Sequence, residues 1–348
     1  MKNIHKKILL AIFTFILLLG MSGCHKLSKR EETKSIKIGI SVYNQYDTFV
    51  SQLMEHFNQQ VSKKEKESGY AINVEIYNAS SSQSTQNDQV EDMIEDGCQV
   101  ICVNLVDRTE PSTIIEAAKN ANVPVIFFNR ELVEEDLERW EGLYYVGAKA
   151  IESGILEGEI VAQRWKEDSS MDKNKDNKCQ YIVLEGEASH QDAVVRTEYS
   201  VSTMVAMGLE VEKVGYAICN WNRSQAKTKL EKLYPQIGES LELILANNDD
   251  MALGAIDALE SLNIPINAWP KIIGIDGTDV GLKAVKEEKM IGTVYNDKEG
   301  QAKEMLNLAF AIAKGDDLSD LSLDEGKYIR KPYEKVTLDN LYQYLKEE

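Results

Sequence analysis

The sequence of 348 residues carries little positive charge. Its 39 Lys and Arg stand against 57 Asp and Glu, which gives a formal net charge of −18. A protein that binds nucleic acid through the phosphates needs a basic face, so this balance argues against a nucleic-acid partner. No helix-turn-helix segment precedes the first predicted strand, which excludes the DNA-binding repressors that are built on an α/β core.

Cysteine is scarce, and a glycine-rich phosphate loop is lacking. No C-x-x-C pair occurs among the five cysteines, so the spacing of a zinc site is missing. The sequence leaves the pairing of Cys98, Cys102, Cys179 and Cys219 open, although disulfides are permitted outside the membrane. No glycine-rich loop follows any predicted strand, so a dinucleotide site is not expected.

Long apolar runs are also missing, apart from one at the N-terminus. Ile8 to Leu19 is an uncharged apolar stretch of 12 residues that follows three lysines. Such a stretch is too short for a membrane-spanning helix and is typical of a signal sequence. The following Met21-Ser22-Gly23-Cys24 resembles the lipobox of bacterial lipoproteins, which implies cleavage before Cys24 and lipidation of that residue. We therefore expect a signal peptide over 1–23, a tether over 24–35 and a lipid-anchored protein outside the cytoplasm.

Apolar strand-like runs alternate with amphipathic helical patterns along the rest of the chain. Continuous apolar strands between helices predict parallel sheets that are covered on both faces. The predicted strands are Lys37–Tyr43, Asn73–Tyr77, Val100–Asn104, Val123–Phe128, Tyr144–Gly147, Gln180–Leu184, Glu210–Ala217, Leu241–Ala246, Lys271–Ile275 and Gly292–Tyr295. Because ten strands exceed a comfortable single sheet, we predict an α/β fold of two doubly wound parallel-sheet lobes joined by a hinge.

The expected N-terminal lobe comprises 36–127 plus 297–330, and the C-terminal lobe comprises 128–296 plus 331–348. In such lobes ligands bind beyond the carboxyl ends of the strands. Two lobes that meet at these ends form a cleft, which is a favoured place for a small-molecule site.

The segment Gly186 to Arg196 reads G-E-x-x-H-x-D-A-x-x-R and follows an apolar strand. His190 and Arg196 can donate hydrogen bonds and Asp192 can accept them, a combination that suits a polyhydroxylated ligand. Taken alone, the same residues could form a helix N-cap and a surface ion pair.

Further polar strings follow other predicted strands. They include Gln86-Asn87-Asp88-Gln89, Asn104-Leu105-Val106-Asp107, Ala246-Asn247-Asn248-Asp249 and Gly292-Thr293-Val294. In this order, and together with the His190 motif, they resemble the periplasmic galactose/glucose-binding proteins of bacterial ABC uptake systems. The resemblance implies a fold of the type I periplasmic binding protein class. It also implies ten sugar-binding residues, namely Asp47, Phe49, Asn104, His190, Asp192, Arg196, Trp221, Asn248, Asp276 and Asn296.

The residue types agree with this implied role. A pyranose has hydroxyls around its rim and apolar C–H patches on its faces, so it needs polar groups at its edge and aromatic rings on its faces. Phe49 and Trp221 are the expected aromatic plates. Taken one at a time, these residues can also be explained by a purely structural role. Asp47 and Asn248 could be helix N-caps, and Phe49 and Trp221 could be core residues.

A second motif, Asp172-Lys173-Asn174-Lys175-Asp176-Asn177-Lys178-Cys179-Gln180, places side-chain oxygens where an EF-hand calcium loop begins. Val183 stands where the bidentate glutamate of an EF-hand is required. The resemblance implies that a remote residue, Glu242, completes the site. The implied cofactor is calcium, with ligands from Asp172, Asn174, Asp176, Lys178 (through its carbonyl), Gln180 and Glu242. A solvated charged loop is the alternative.

The sequence thus predicts a monomeric, non-enzymatic protein that binds D-galactose or D-glucose and delivers it to an ABC permease. Alternatives in the binding class are a sensor lipoprotein that presents the sugar to a membrane receptor or chemoreceptor, and a protein for a related monosaccharide such as a pentose. A glycosidase could use Asp47, Asp192 and Asp276, since such enzymes work with pairs of carboxylates. Arg196 and His190 beside Asp192 are expected to keep it ionised, which makes it a poor general acid.

Overall fold

A computed structural model describes residues 34–188 and 190–345. Cys24, the expected signal peptide and most of the expected tether lie outside these residues. Within the described part of the chain, no helix combines the length and the apolar character needed to cross a membrane.

Twelve strands and ten α-helices make up the described chain. The strands are β1 (Ser35–Val42), β2 (Ala71–Asn78), β3 (Val100–Val103), β4 (Val125–Phe128), β5 (Leu143–Gly147), β6 (Lys178–Glu185), β7 (Glu210–Ile218), β8 (Leu243–Ala246), β9 (Lys271–Asp276), β10 (Gly292–Asn296), β11 (Tyr328–Arg330) and β12 (Tyr333–Val336). The helices are α1 (Thr48–Ser68), α2 (Gln83–Glu95), α3 (Ser112–Ala121), α4 (Glu134–Leu137), α5 (Ala150–Glu167), α6 (Gln191–Ala206), α7 (Arg223–Ile237), α8 (Asp249–Ser261), α9 (Asp279–Lys286) and α10 (Lys298–Lys314).

The strands form two six-stranded sheets, which confirms the prediction of two α/β lobes. The first sheet has the order β11-β5-β4-β3-β1-β2, and all its pairs are parallel. The second has the order β12-β10-β9-β8-β6-β7, with β12 antiparallel to β10 at the edge. The short strands β11 and β12 were not expected from the sequence, because three or four residues carry too little apolar periodicity to stand out.

The central strands are apolar because both of their faces are covered by helices. Every residue of β3 and of β4 is buried, with the sequences VICV and VIFF. Leu53 and Phe57 of α1 pack with Leu306 of α10 against one face of the first sheet, in a single apolar cluster. This continuous burial is what places the polar residues of each lobe at the ends of its strands.

The chain crosses between the lobes at three places: between Gly147 and Ala150, between Asn296 and Lys298, and between Arg330 and Tyr333. The first crossing corrects the expected boundary at 127/128. Strand β5 pairs with β4, Ile126 opposite Tyr144, so residues 128–147 stay with the N-terminal sheet. The backbone N–H of Lys331 donates to the carbonyl of Gly147 over 2.8 Å, which ties two crossings together.

Several residues at the carboxyl ends of the second sheet have a left-handed backbone. Asn220 and Trp221 follow β7 with φ of 50° and 58°, and Asp276 ends β9 with φ of 116°. Non-glycine residues rarely adopt this conformation, and it often marks functional positions. Two of these three residues are in the expected binding set.

Candidate ligand-binding site

A cavity lies between the lobes at the carboxyl ends of both sheets. Its empty volume is about 340 Å³, counting the part that is open to solvent. It is lined by Tyr43, Asp47, Phe49, Asn129, Arg130, His190, Asp192, Arg196, Trp221, Asn248 and Asp276. The structure therefore brings together eight of the ten sequence-predicted residues.

Asp47 is fixed by two different contacts. Its Oδ1 accepts from the backbone N–H of Val50 over 2.9 Å, so Asp47 is the N-cap of α1. Its Oδ2 accepts from the hydroxyl of Tyr43 over 2.6 Å. Asp47 is therefore both a helix N-cap and a residue that lines the cavity. The capping hydrogen bond fixes the direction of its carboxylate.

His190 is neutral at pH 7. Its Nδ1 accepts from the backbone N–H of Asp192 over 3.1 Å, which makes His190 the N-cap of α6. Burial is the main cause that lowers the pKa of His190 to about 4, against the opposing effect of Asp192. The neutral ring then carries its proton on Nε2, which can donate to a ligand. Of the two residues expected to keep Asp192 ionised, the neutral His190 brings no positive charge.

Arg196 supplies that charge. Its guanidinium lies 4.0 Å from the carboxylate of Asp192 and 3.7 Å from that of Asp276, and the residue is only 4% exposed. One guanidinium nitrogen donates to the carbonyl of Asn247 over 2.7 Å and another to the hydroxyl of Tyr333 over 3.2 Å. Burial raises the pKa of Asp276 well above its usual range, and Arg196 opposes that rise.

Trp221 and Phe49 present aromatic surface to the cavity from different lobes. Both are buried, and the indole of Trp221 meets the ring of His190 edge-on, with the centroids 5.2 Å apart. Gly186 makes this packing possible, because a Cβ there would lie 2.2 Å from the indole. A side chain at position 186 would displace the tryptophan, which explains the glycine at the start of the motif.

Asn248 caps α8, with its Oδ1 accepting from the N–H of Met251 over 3.0 Å, so its Nδ2 hydrogens remain for a ligand. The next residue, Asp249, is fully buried and holds the neighbouring loops. Its carboxylate accepts from the hydroxyl of Thr293 over 2.6 Å and from the N–H of Thr278 over 2.7 Å. The loop after β9 and the start of β10 are thereby fixed to the start of α8.

Two of the expected residues do not line the cavity. Asn104 is fully buried, and its Nδ2 donates to the carbonyl of Phe128 and to Oδ1 of Asn129, both over 3.1 Å. Asn296 is 2% exposed, and its Oδ1 accepts from the side-chain amide of Gln301. In this structure both amides are engaged within the protein, and Asn104 positions Asn129, which does line the cavity.

Tyr43, Asn129 and Arg130 line the cavity but were not among the predicted residues. Each lies just after a strand of the first sheet: Tyr43 after β1, and the other two after β4. Their position directly after a strand could have identified them from the sequence, because Asp47 and Asn104 also follow strands at this carboxyl edge of the sheet. The misplaced lobe boundary assigned Asn129 and Arg130 to the wrong lobe.

The Asp172–Gln180 loop lies at the amino end of β6, far along the strand from the cavity. Asp172 accepts from the N–H groups of Asp176 and Asn177 over 3.1 and 3.0 Å, and Nε2 of Gln180 lies 2.9 Å from Oδ2 of Asp176. Glu242 accepts from the N–H of Lys173 over 2.6 Å and from that of Gln180 over 3.1 Å.

In the described part of the chain, no three or more His, Cys, Asp and Glu side chains are arranged as a metal site, so Asp172, Asp176 and Glu242 do not form such a group in this geometry. The four described cysteines, Cys98, Cys102, Cys179 and Cys219, are buried free thiols in this structure.

Comparison with known proteins places the fold in a family. Residues 38–317 match the model of the periplasmic binding protein domain. The chain therefore belongs to the family of periplasmic binding protein domains, whose members act outside the cytoplasm.

Individual relatives and structures agree over nearly the whole chain. The D-galactose/methyl-galactoside binding periplasmic protein MglB of Haemophilus influenzae is 34% identical over 89% of this chain and 92% of its own length. A putative rhizopine-binding protein of Rhizobium meliloti is 26% identical, over 94% and 97% of the two chains. An ABC transporter solute binding protein from Bacillus halodurans, solved with myo-inositol, is 27% identical with a TM-score of 0.75, over 90% and 98%.

The lowered pKa of His190 gives a direct prediction. In proton NMR, the His190 ring resonance, identified by its loss in His190→Asn, should keep its neutral position from pH 8 to pH 5 and titrate near pH 4. Because the unfolded chain takes up this proton near pH 6.5, His190 should cost stability as the pH falls from 6.5 to 4, by about 3 kcal/mol in full. A midpoint near 6.5 would contradict the buried, neutral ring.

Proposed function

We propose that this protein binds a monosaccharide, D-galactose or D-glucose, in the cleft between its lobes and delivers it to an ABC permease outside the cytoplasm. The observation that carries the proposal is the cavity at the strand ends, where three carboxylates, two guanidiniums, two side-chain amides, an imidazole and three aromatic rings come together. No catalytic step is proposed, since the relatives are named as binding proteins.

The lining has the chemistry that a pyranose requires. Asp47, Asp192 and Asp276 can accept from ring hydroxyls. The Nε2–H of His190, the amide of Asn248 and the guanidinium of Arg196 can donate to hydroxyl oxygens. Phe49 and Trp221 offer apolar faces for the C–H patches of the ring.

Neither lobe supplies this lining alone. Tyr43, Asp47 and Phe49 belong to the N-terminal lobe, whereas His190 and Trp221 belong to the C-terminal lobe. A sugar between them gains its full set of contacts only when the lobes are together. Sugar binding should therefore shift an open–closed equilibrium toward the closed state.

The choice of galactose or glucose rests on the sequence motifs and on the relative at 34% identity, which is named for D-galactose and methyl-galactoside. Another neighbour was solved with myo-inositol, a cyclic polyol, so a rim of hydroxyls is the feature that its ligand shares with a hexose. Galactose and glucose differ in the direction of one hydroxyl, and a single carboxylate such as Asp47 can accept from either epimer.

Calorimetric titration of residues 25–348 with galactose, glucose, ribose, xylitol and myo-inositol tests the function. Galactose or glucose should bind most tightly. Asp47→Asn should weaken binding by about 2 kcal/mol or more, because it removes a charged acceptor but keeps a residue that caps α1 equally well. Trp221→Ala should also weaken both sugars, through lost stacking.

Tyr46→Ala is the matched control, because Tyr46 precedes Asp47, is 81% exposed and does not line the cavity. It should bind like the wild type. Tightest binding of ribose or myo-inositol would assign a different ligand to the same cleft. Wild-type affinity in both cavity variants would show that the sugar binds elsewhere.

We also propose that the loop at the amino end of β6 binds calcium and stabilises the C-terminal lobe. The ligands would be Asp172, Asn174, Asp176, the carbonyl of Lys178, Gln180 and Glu242, all of them hard oxygen donors of the kind calcium takes. Three of their side chains converge: Nδ2 of Asn174 lies 3.0 Å from Oδ2 of Asp176 and 3.2 Å from Oε1 of Gln180. Glu242 is fully buried behind them.

If calcium binds only to the folded protein, removing it lowers the melting temperature by mass action. The wild type should melt several degrees lower in chelator than in calcium, and Glu242→Gln should lose most of that difference. Lys178→Ala should keep it, because alanine still provides the carbonyl. If the melting curves of the wild type with and without calcium coincide, the proposal of a calcium site in this loop is wrong.

We propose, finally, that Cys24 is lipidated and holds the protein at the outer face of the cell membrane. The proposal rests on the apolar leader and the lipobox-like sequence before Cys24.

A further inference from the structure

Arg130 and Glu187 form an ion pair across the cleft. Arg130 follows β4 in the N-terminal lobe, and Glu187 follows β6 in the C-terminal lobe. Two guanidinium nitrogens of Arg130 lie 3.0 and 3.3 Å from the two carboxylate oxygens of Glu187, so the pair is bidentate. Such fork-to-fork geometry is stronger and more specific than a single contact.

The guanidinium is preorganised by its own lobe. Arg130 also donates to the carbonyl of Val106 over 2.7 Å, and its guanidinium stacks on the ring of Tyr43, 3.6 Å from the centroid. The hydroxyl of Tyr43 donates to Asp47. Arg130 is 3% exposed, so its charge is largely removed from water, and it lines the cavity beside Asp47.

Glu187 connects the pair to the other half of the site. Its backbone carbonyl accepts from the N–H of His190 over 3.0 Å, just before α6. Its side chain is one-third exposed and lies outside the cavity lining. Glu187 can therefore hold Arg130 without contacting a ligand in the cavity.

Other contacts across the cleft are of a different kind. The hydroxyl of Thr48 donates to Asp250 over 2.7 Å, and the side-chain oxygen of Gln52 accepts from the N–H of Asp279 over 3.4 Å. Neither of these two contacts joins opposite charges. The buried ammonium of Lys298 does lie 4.0 Å from the carboxylate of Asp279, but Lys298 directly follows the second crossing, and its ammonium also donates to the carbonyl of Gly277 over 2.7 Å. The pair of Arg130 and Glu187 places a buried cation against a carboxylate of the facing lobe, so separating the lobes must leave that cation without its counter-ion.

We propose that Arg130 and Glu187 are positioning residues that latch the closed cleft and slow the release of its ligand. The proposal rests on the proposed sugar-binding function and adds the element that sets the lifetime of the closed state. Interactions that exist only after docking act mainly on the dissociation rate, so the association rate should change little.

The test is a double-mutant cycle with stopped-flow measurement of sugar association and dissociation. Arg130→Gln and Glu187→Gln should each raise the dissociation rate about 10-fold. The double variant should be no faster than the single ones, because both substitutions remove the same contact. Arg130→Lys should restore part of the effect, since lysine keeps the charge but loses the bidentate fork.

Arg139→Gln and Glu116→Gln are the matched controls. Each of them breaks an Arg–Glu ion pair of 3.1 Å that lies within the N-terminal lobe. Neither should change the association rate or the dissociation rate of the sugar. A faster Arg130→Gln with an unchanged Glu187→Gln would make Arg130 a direct sugar contact and overturn the latch. Multiplying effects in the double variant would overturn it as well.

A second measurement does not depend on the identity of the sugar. Spin labels attached at Asp88→Cys on α2 and at Thr228→Cys on α7 report the distance between the lobes, because the two helices belong to different lobes. The labels should react selectively with the new cysteines, because the four native cysteines in the described chain are buried. Without ligand, Glu187→Gln should reduce the short-distance population relative to the unmutated label pair. An unchanged distribution would overturn the latch, and failure of every sugar to bind would instead overturn the proposed function alone.

Discussion

The guanidinium of Arg196 is almost completely buried and lies between the carboxylates of Asp192 and Asp276. A buried carboxylate without a partner is costly, so the charge of Arg196 offsets the cost of burying Asp276 beside a second acid. The carbonyl of Asn247 and the hydroxyl of Tyr333 hold it in place. Tyr333 begins β12, directly after the third crossing between the lobes, so the central charge of the site is joined to the strand that leaves the hinge.

A second layer of polar contacts holds the loops that carry the ligand-facing residues. Asp249 fixes the loop after β9 and the strand β10 to the start of α8, next to Asn248 and Asp276. Gly274 and Gly281 leave the space that its carboxylate needs, because a Cβ at either position would lie within 2.6 Å of a carboxylate oxygen. Gln86 holds the corresponding loop of the N-terminal lobe. Its side-chain amide donates to the carbonyl of Asn104 and accepts from the N–H of Val106. The site is preorganised by groups that do not themselves line it.

The sequence was sufficient to predict the two α/β lobes, because apolar strands that alternate with helices are local patterns. Most of the cavity lining was implied by the resemblance to a known family, whose motifs follow those strands. The sequence was not sufficient where long-range contacts decide. Asn104 follows β3 as expected, yet it bonds to Phe128 and Asn129 instead of lining the cavity. The predicted boundary assigned Arg130 to the C-terminal lobe, because the sequence of neither strand alone shows that β5 pairs with β4. The pKa of His190 depends on burial from several elements, so the charge of its ring could not be read from the motif.

The central claim is that the cleft between the lobes closes around a monosaccharide. Small-angle X-ray scattering of residues 25–348, measured with and without saturating galactose or glucose, tests it most directly. The radius of gyration should fall on addition of the sugar, because contacts from both lobes are satisfied only in the closed state. A radius that stays the same while calorimetry reports binding would contradict closure and place the sugar outside this cleft.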